Sequence, residues 1–256
     1  MIFVDVHSHL DLKEYENNLD EVINKCKKND VKIVITAGLD PESNRKALEL
    51  SKKYEIIKCS LGIYPPDALC RETGCDVVSK VDEEIDFIKK NKDSVVAIGE
   101  VGLDFLDENS ERESQIVVFK KMINLAKELE IPLIVHSRKA EKEVLDVLEE
   151  CNAKKVILHC FSGKKNLIKR ASDLKYSFSI PANVIRSEHF QALVKEVNIN
   201  QLLTETDSPY LSPNKDEVND PSSVILAVEK IAEIKGFDKE EVANNIFMNY
   251  QRLFSK

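Results

Sequence analysis

Imidazoles and carboxylates in this chain fall at the ends of apolar runs. VDVHSH carries His7 and His9, VVAIGE ends at Glu100, PLIVH at His136, KVILH at His159, and NQLLTETD at Asp207. Four of the five histidines close such a run or sit just beyond one. In a parallel α/β protein the residues just past the strand ends converge at one mouth. Imidazole and carboxylate are the side chains that hold Zn²⁺, Mn²⁺ or a neighbouring divalent ion. The pattern points to metal-dependent hydrolysis.

His7 and His9 are two residues apart, so on an extended backbone both side chains point to one face and can share one ion. Taken alone, the pair also fits two polar strand-end residues with ordinary hydrogen bonds; four further donors in equivalent places favour the metal. Glu100 ends an apolar strand, where a carboxylate is costly unless paired or metal-bound. It is expected to bridge two cations, the alternative being a salt bridge inside the barrel. His136 and His159 end the fifth and sixth strands, neighbours on one rim. Asp207 lies just past the last strand, which in a closed barrel sits beside the first, and is expected as a ligand, a general base or both.

The count suggests two divalent ions (Mg, Mn or Zn). His7, His9, Glu100 and Asp207 would hold one, and Glu100, His136 and His159 the other. Such a pair activates a bridging water and clamps the attacking and leaving oxygens. Glu100 and Asp207 are then the expected catalytic residues. Arg138, two residues after His136, and the pair Lys164 and Lys165 are candidates for phosphate oxygens. His189 lies in a polar, helix-like stretch and reads as surface.

Alternating strand and helix periods supply the frame. Strands are expected at Ile2–His7, Lys32–Thr36, Ile56–Gly62, Val95–Glu100, Pro132–His136, Lys155–His159, Tyr176–Ile180 and Gln201–Thr204. Helical stretches fall between them: Asp20–Lys28, Pro41–Lys53, Val81–Lys90, Glu111–Leu129, Lys139–Glu150, Asn166–Leu174 and His189–Glu196. Ser222–Lys235 follows the eighth strand, and a last helix, Asp238–Tyr250, opens with Asp238 and Glu241 in a capping-box pattern. Eight βα repeats in 256 residues predict an α/β fold, a (β/α)₈ TIM barrel, as one domain over residues 1–256 with an extra C-terminal helix. An open doubly wound sheet would usually bring a Gly-rich phosphate loop after the first strand, and none is present. The longest loops, Pro65–Cys75 and Ser208–Ser222, leave the expected catalytic face.

Composition agrees. Hydrophobic residues make up 43% of the chain, enough for a sizeable core, and no apolar run nears the roughly 20 residues that span a bilayer. With no signal-peptide pattern at the start, the cytoplasm is the expected location. Cys26, Cys59, Cys70, Cys75, Cys151 and Cys160 form no metal-knuckle spacing and are expected as reduced thiols, although Cys70 and Cys75 flank a short loop and could pair. Abundant Lys and Glu with no Trp are compatible with a thermophile without establishing one. The net charge of −8 argues against a broad electrostatic grip on duplex nucleic acid. It leaves room for a nuclease with a small site, because two bound cations would reverse the potential at the mouth.

Taken together, DVHSHL, IGEVGLDF, IVHSRKA, LHCFSG, TETDSPYLSP and the closing NYQRLF resemble the TatD family of metal-dependent deoxyribonucleases, within the amidohydrolase-like barrels. The resemblance runs from residue 4 to the end, in order and with suitable spacing. It implies a (β/α)₈ barrel, a binuclear divalent site and phosphodiester hydrolysis on DNA, often trimming a 3′ end. By position it makes His7, His9, Glu100, His136, His159 and Asp207 metal ligands, and Glu205 a residue that supports the site or contacts substrate. DNA, single-stranded or at strand ends, is the implied substrate; neither a membrane nor an obligate protein partner is implied.

Two departures bear on the substrate. Where the family usually shows Gly-x-His-Pro-His, this chain has Gly62-Ile63-Tyr64-Pro65-Pro66, and the basic segment before Asn-Glu-Pro is reduced to PNKDEVNDP. Tyr64, a phenol with an ordinary pKa of about 10, can donate to a phosphate oxygen and stack on a base, so it is expected to position substrate. Related barrels use similar ligands on C–N, ester and small phosphate-ester bonds, which makes a small-substrate hydrolase the alternative. A binding or scaffold protein with a vestigial site is the remaining reading, and six intact ligand candidates oppose it.

Overall fold

A computed structural model describes residues 1–65, 77–107, 111–215 and 217–255. Cys70, Cys75 and Pro66 lie outside the described residues. Strands and helices alternate as β1 (Phe3–Ser8), α1 (Leu19–Lys28), β2 (Val31–Ala37), α2 (Pro41–Lys53), β3 (Ile57–Leu61), α3 (Val77–Lys90) and β4 (Val95–Gly102). They continue as α4 (Arg112–Leu129), β5 (Leu133–His136), α5 (Glu141–Glu150), β6 (Val156–His159), α6 (Lys165–Asp173), β7 (Ser177–Pro181), α7 (Glu188–Glu196) and β8 (Leu202–Glu205). Two C-terminal helices close the chain, α8 (Val224–Lys235) and α9 (Lys239–Phe254).

Neighbouring strands pair in sequence order, β1 to β8, and every pair is parallel. Both faces of such a sheet are covered, which is why each strand reads as a near-continuous apolar run. One cluster fills the barrel axis: Val4, Val6, Ile35, Ala97, Ile134, Ile157 and Leu203, with Leu253 of α9 packed among them. A larger cluster fills the space between strands and helices. Ile134, Ile157 and Leu203 stand two residues before His136, His159 and Glu205. Strand alternation therefore carries these three polar residues to the same inner face, one step nearer the mouth.

The seam between β8 and β1 is made differently from the other seven contacts. It has a single isolated bridge, Ser8 to Ser208, and side chains supply the rest. The Thr204 hydroxyl donates to the Val4 carbonyl (2.7 Å), and the Thr206 hydroxyl to Asp5 Oδ2 (2.5 Å). Asp5 Oδ1 accepts from the backbone N–H of both His7 (3.1 Å) and Thr206 (3.0 Å). Beyond the strand ends, Asp207 N–H donates to the His7 carbonyl and His9 N–H to that of Ser208. Asp5 is fully buried, and that burial raises its carboxyl well above the usual range despite the donors that oppose it.

Two local expectations change. Strand β4 runs through Glu100 to Gly102 instead of ending at Glu100. Asp238 is the N-cap of α9 but its side chain accepts no backbone hydrogen bond there. A capping box does form at α2, where Asp40 accepts from Ser43 N–H and the Ser43 hydroxyl accepts from Asp40 N–H. Among the described residues no helix is long and apolar enough to cross a membrane.

If the seam depends on side chains, Thr206→Val should destabilise the fold by roughly 1–3 kcal/mol, because Asp5 loses a buried donor. Urea unfolding followed by circular dichroism measures this; an unchanged midpoint would place the seam's strength elsewhere.

Candidate active site

Glu100, nearly fully buried, meets all four strand-end imidazoles. Its Oε2 lies 3.3 Å from His7 Nε2 and 3.5 Å from His9 Nε2. Its Oε1 lies 2.8 Å from His136 Nδ1 and 3.5 Å from His159 Nε2. Asp207 Oδ1 closes the other side, 3.5 Å from His7 Nε2 and 3.4 Å from His9 Nε2. Asp207 reaches this position from a left-handed backbone conformation (φ 53°) just past β8, which aspartate tolerates better than most residues.

Outer partners hold the far nitrogens of three rings. His9 Nδ1 is 3.3 Å from the Ala37 carbonyl, and His159 Nδ1 is 3.1 Å from Glu205 Oε2. His136 Nε2 is 3.1 Å from both Asp104 Oδ2 and the Tyr64 hydroxyl. His7 is fully buried with neither ring nitrogen hydrogen-bonded.

This donor set fits divalent ions. Neighbouring donors around a tetrahedral ion with bonds of about 2.1 Å stand about 3.4 Å apart, and the four contacts of His7 and His9 with Glu100 and Asp207 span 3.3–3.5 Å. Among the described residues two three-donor groups have all their donor atoms within 4.8 Å: His7, His9 and Asp207, and His7, Glu100 and His159. The expected grouping of Glu100, His136 and His159 is only partly assembled. His136 belongs to neither compact group, although its Nδ1 reaches the same Glu100 oxygen as His159.

The electrostatics show a tightly paired set of acids and imidazoles. Burial opposes ionisation of Glu100, but His159, His7 and the hydrogen bond from His136 hold its carboxyl well below the usual range. Asp207 is also lowered, burial being outweighed by the hydrogen bond with His9 and the charges of His159 and His7. The carboxylates reverse burial's effect on their imidazole partners. His9 rises to about 9 through Asp207 and Glu100, and His159 to about 10 through Glu205 and Glu100. His136 also rises, with Asp104 and Glu100 overcoming burial. His7 falls, through burial and its neighbour His159. Without an ion the raised imidazoles balance the lowered carboxylates, and a divalent ion taking this site would displace the ring protons.

Above this floor lies a cleft of about 660 Å³, walled by residues that include Leu39, Tyr64, Arg138, Phe190 and Tyr210. Arg138 is exposed and, among the described residues, its guanidinium makes no hydrogen bond or ion pair. Tyr210 is 56% exposed, with its ring 6.2 Å from that of His9. The hydroxyl of Tyr64 turns inward to Asp104 Oδ2 (2.8 Å) and His136, and burial with the Glu100 charge pushes this phenol up.

Glu205, expected to support the site or contact substrate, is fully buried and does not line the cleft. Its oxygens are taken by His159, Cys160 N–H and the Ser179 hydroxyl. Lys164 and Lys165 do not line the cleft, and Lys165 pairs with Glu196. His189 is half-buried, with Nε2 3.0 Å from the Phe161 carbonyl. Asp104 and Tyr210 escaped the sequence reading. A carboxylate four residues after Glu100 in IGEVGLDF was the available signal for the first.

The family model described as TatD related DNase matches residues 4–255. The chain belongs to the TatD family. It is 39% identical over 254 residues to an uncharacterized metal-dependent hydrolase of Methanocaldococcus jannaschii, covering 99% of this chain and 97% of that one. It is 36% identical over 260 residues to the deoxyribonuclease TATDN3 of Homo sapiens, covering 99% and 94%. The crystal structure of the TatD homologue YjjV from Escherichia coli superposes with a TM-score of 0.90 at 22% identity, covering 99% and 98% of the two chains. The fold is thus that of TatD barrels, and this TatD chain is a metal-dependent hydrolase.

Adding Mn²⁺ or Zn²⁺ to metal-free protein should raise its unfolding temperature, since an ion that binds only the folded chain adds about 2.7 kcal/mol at a hundredfold excess over Kd. Glu100→Gln keeps the shape but not the charge and should remove most of that gain. Calorimetry with and without EDTA is the check, and an undiminished shift in the variant would locate the ion elsewhere.

Proposed function

We propose that this chain is a nuclease that trims single-stranded DNA from its end, using two divalent ions held around Glu100. The observation that carries this reading is one buried carboxylate with both oxygens facing four imidazoles from three strands. His7, His9 and Asp207 would hold the first ion with Glu100 Oε2. His159 and His136 would hold the second with Glu100 Oε1. Imidazole-rich donors favour Zn²⁺ or Mn²⁺ over Mg²⁺. Bound there, such ions supply Lewis acidity that activates water at neutral pH and neutralises charge on phosphoryl oxygens.

The chain's own groups divide the remaining work. Asp207, ionised and with its side chain 16% exposed to the cleft, accepts the proton of the attacking water. Arg138, whose guanidinium is unpaired among the described residues, binds the non-bridging phosphate oxygens. Tyr210 stacks on the terminal base, a contact worth about 1–3 kcal/mol. A cleft of about 660 Å³ is the size of a small-ligand site, which supports a strand end over a duplex. The name deoxyribonuclease carried by the human relative supports DNA. Free thiols at Cys26, Cys59, Cys151 and Cys160 support a cytoplasmic setting, where thiols stay reduced. Residues 1–256 would work as one catalytic domain.

A small ester or amide substrate is the second reading, favoured by the same modest cleft, in which Arg138 is the one unpaired cation among the described residues. End-labelled linear oligonucleotides, circular single-stranded DNA, RNA and a panel of small esters and amides separate the two. Linear DNA should shorten from the 3′ end, circles should resist, EDTA should abolish the reaction and Mn²⁺ restore it. Asp207→Asn should lower kcat by about 10²–10⁴. Metal-loaded protein inert on nucleic acids but active on a small ester or amide would replace the nuclease reading.

A further inference from the structure

His136 can present either ring nitrogen to Glu100, and only one choice serves a metal site there. Its Nδ1 lies 2.8 Å from Glu100 Oε1, while Nε2 lies 3.1 Å from Asp104 Oδ2. Asp104 already accepts the Tyr64 hydroxyl on Oδ2 (2.8 Å) and Leu106 N–H on Oδ1 (2.9 Å). Asp104 therefore occupies the Nε2 side of the ring, as a carboxylate does beside a metal-ligating histidine. Nδ1 is left as the nitrogen that faces Glu100 Oε1, and a divalent ion binding there would replace the hydrogen bond that now joins the two.

The chain is built to keep Asp104 there. Its N–H donates to Gln115 Oε1 (2.9 Å) and its carbonyl accepts from Gln115 Nε2 (3.0 Å), with Gln115 fully buried on α4. Leu103 N–H donates to the His136 carbonyl and Phe105 N–H to that of Arg138, so the segment leaving β4 flanks His136 on both sides. Gly102 makes this close approach possible. At φ +146° a Cβ on it would lie 2.0 Å from the His136 carbonyl oxygen, so no other residue fits without displacing β5. Tyr64 is tied in turn by its N–H to the Leu39 carbonyl (2.8 Å).

We infer that Asp104, capped by the Tyr64 hydroxyl, is a positioning residue that fixes Nδ1 of His136 toward Glu100 and thereby sets the affinity of the second divalent ion independently of the first. The inference rests on the two-ion reading given above. The first position shares none of these outer partners, because His9 is steadied by the Ala37 carbonyl. Tyr64, which also lines the cleft, acts here through Asp104 and His136.

Titration calorimetry of metal-free protein with Mn²⁺ is the test. Wild type should show two binding steps. Removing an outer partner of a metal-ligating histidine typically costs about 10–100-fold in affinity. Asp104→Ala should weaken the second step by that much, Asp104→Asn less because it keeps an acceptor oxygen, and Tyr64→Phe by a few-fold. The first step should stay within about twofold throughout, as expected for a group acting on one ring. Should Asp104→Ala not fold, Asp104→Asn and Tyr64→Phe decide. An unchanged second step, or equal weakening of both steps, would overturn the role of Asp104. A single step in wild type would instead overturn the two-ion reading and this inference with it.

Discussion

A buried carboxylate shared by four imidazoles is the constraint on which the rest of this molecule depends. Glu100 is withdrawn from water, and an isolated buried charge is costly. Neutral imidazoles offset little of that cost, so the arrangement needs cations, whether protons on the rings or divalent ions among them. Protons would leave the histidines as salt-bridge partners; ions make them ligands. The outer partners favour ligands, because the Ala37 carbonyl, Asp104 and Glu205 each hold the ring nitrogen turned away from Glu100.

Delivering four imidazoles to one carboxylate is a task for the barrel. The rings come from the ends of β1, β5 and β6 and from His9 just past β1, while Glu100 comes from β4. Only a sheet that returns on itself brings these ends within hydrogen-bonding range, since β8 and β1 are the first and last of eight in order. The β8–β1 seam joins fold and chemistry most closely. Asp5 accepts from His7 N–H and from Thr206, so the same contacts that close the barrel fix the residue preceding Asp207 and the backbone of His7.

Much of this was legible in the sequence. All eight strands lie within two residues of where the apolar runs put them, because strands buried on both faces leave little ambiguity of period. The six expected ligands do converge, since strand ends in a parallel barrel share one rim. What the sequence hid were contacts between distant segments. Asp104 and His136 are 32 residues apart, and Glu205 and His159 are 46 apart, so neither pairing leaves a local pattern. Glu205 reads as a polar residue near a cleft, yet Ser179 and Cys160 N–H enclose it. At Asp238 the capping-box spacing is present without the hydrogen bond; nothing in the structure explains this.

Two ions divided by one carboxylate are the core of the proposed chemistry. Anomalous diffraction from Mn²⁺-loaded crystals measures that division directly. Two peaks are expected, one among His7, His9 and Asp207 and one beside His159 and His136, each about 2.0–2.2 Å from a Glu100 oxygen. A single peak, or a second peak beyond bonding distance of both Glu100 oxygens, would contradict the shared-carboxylate site.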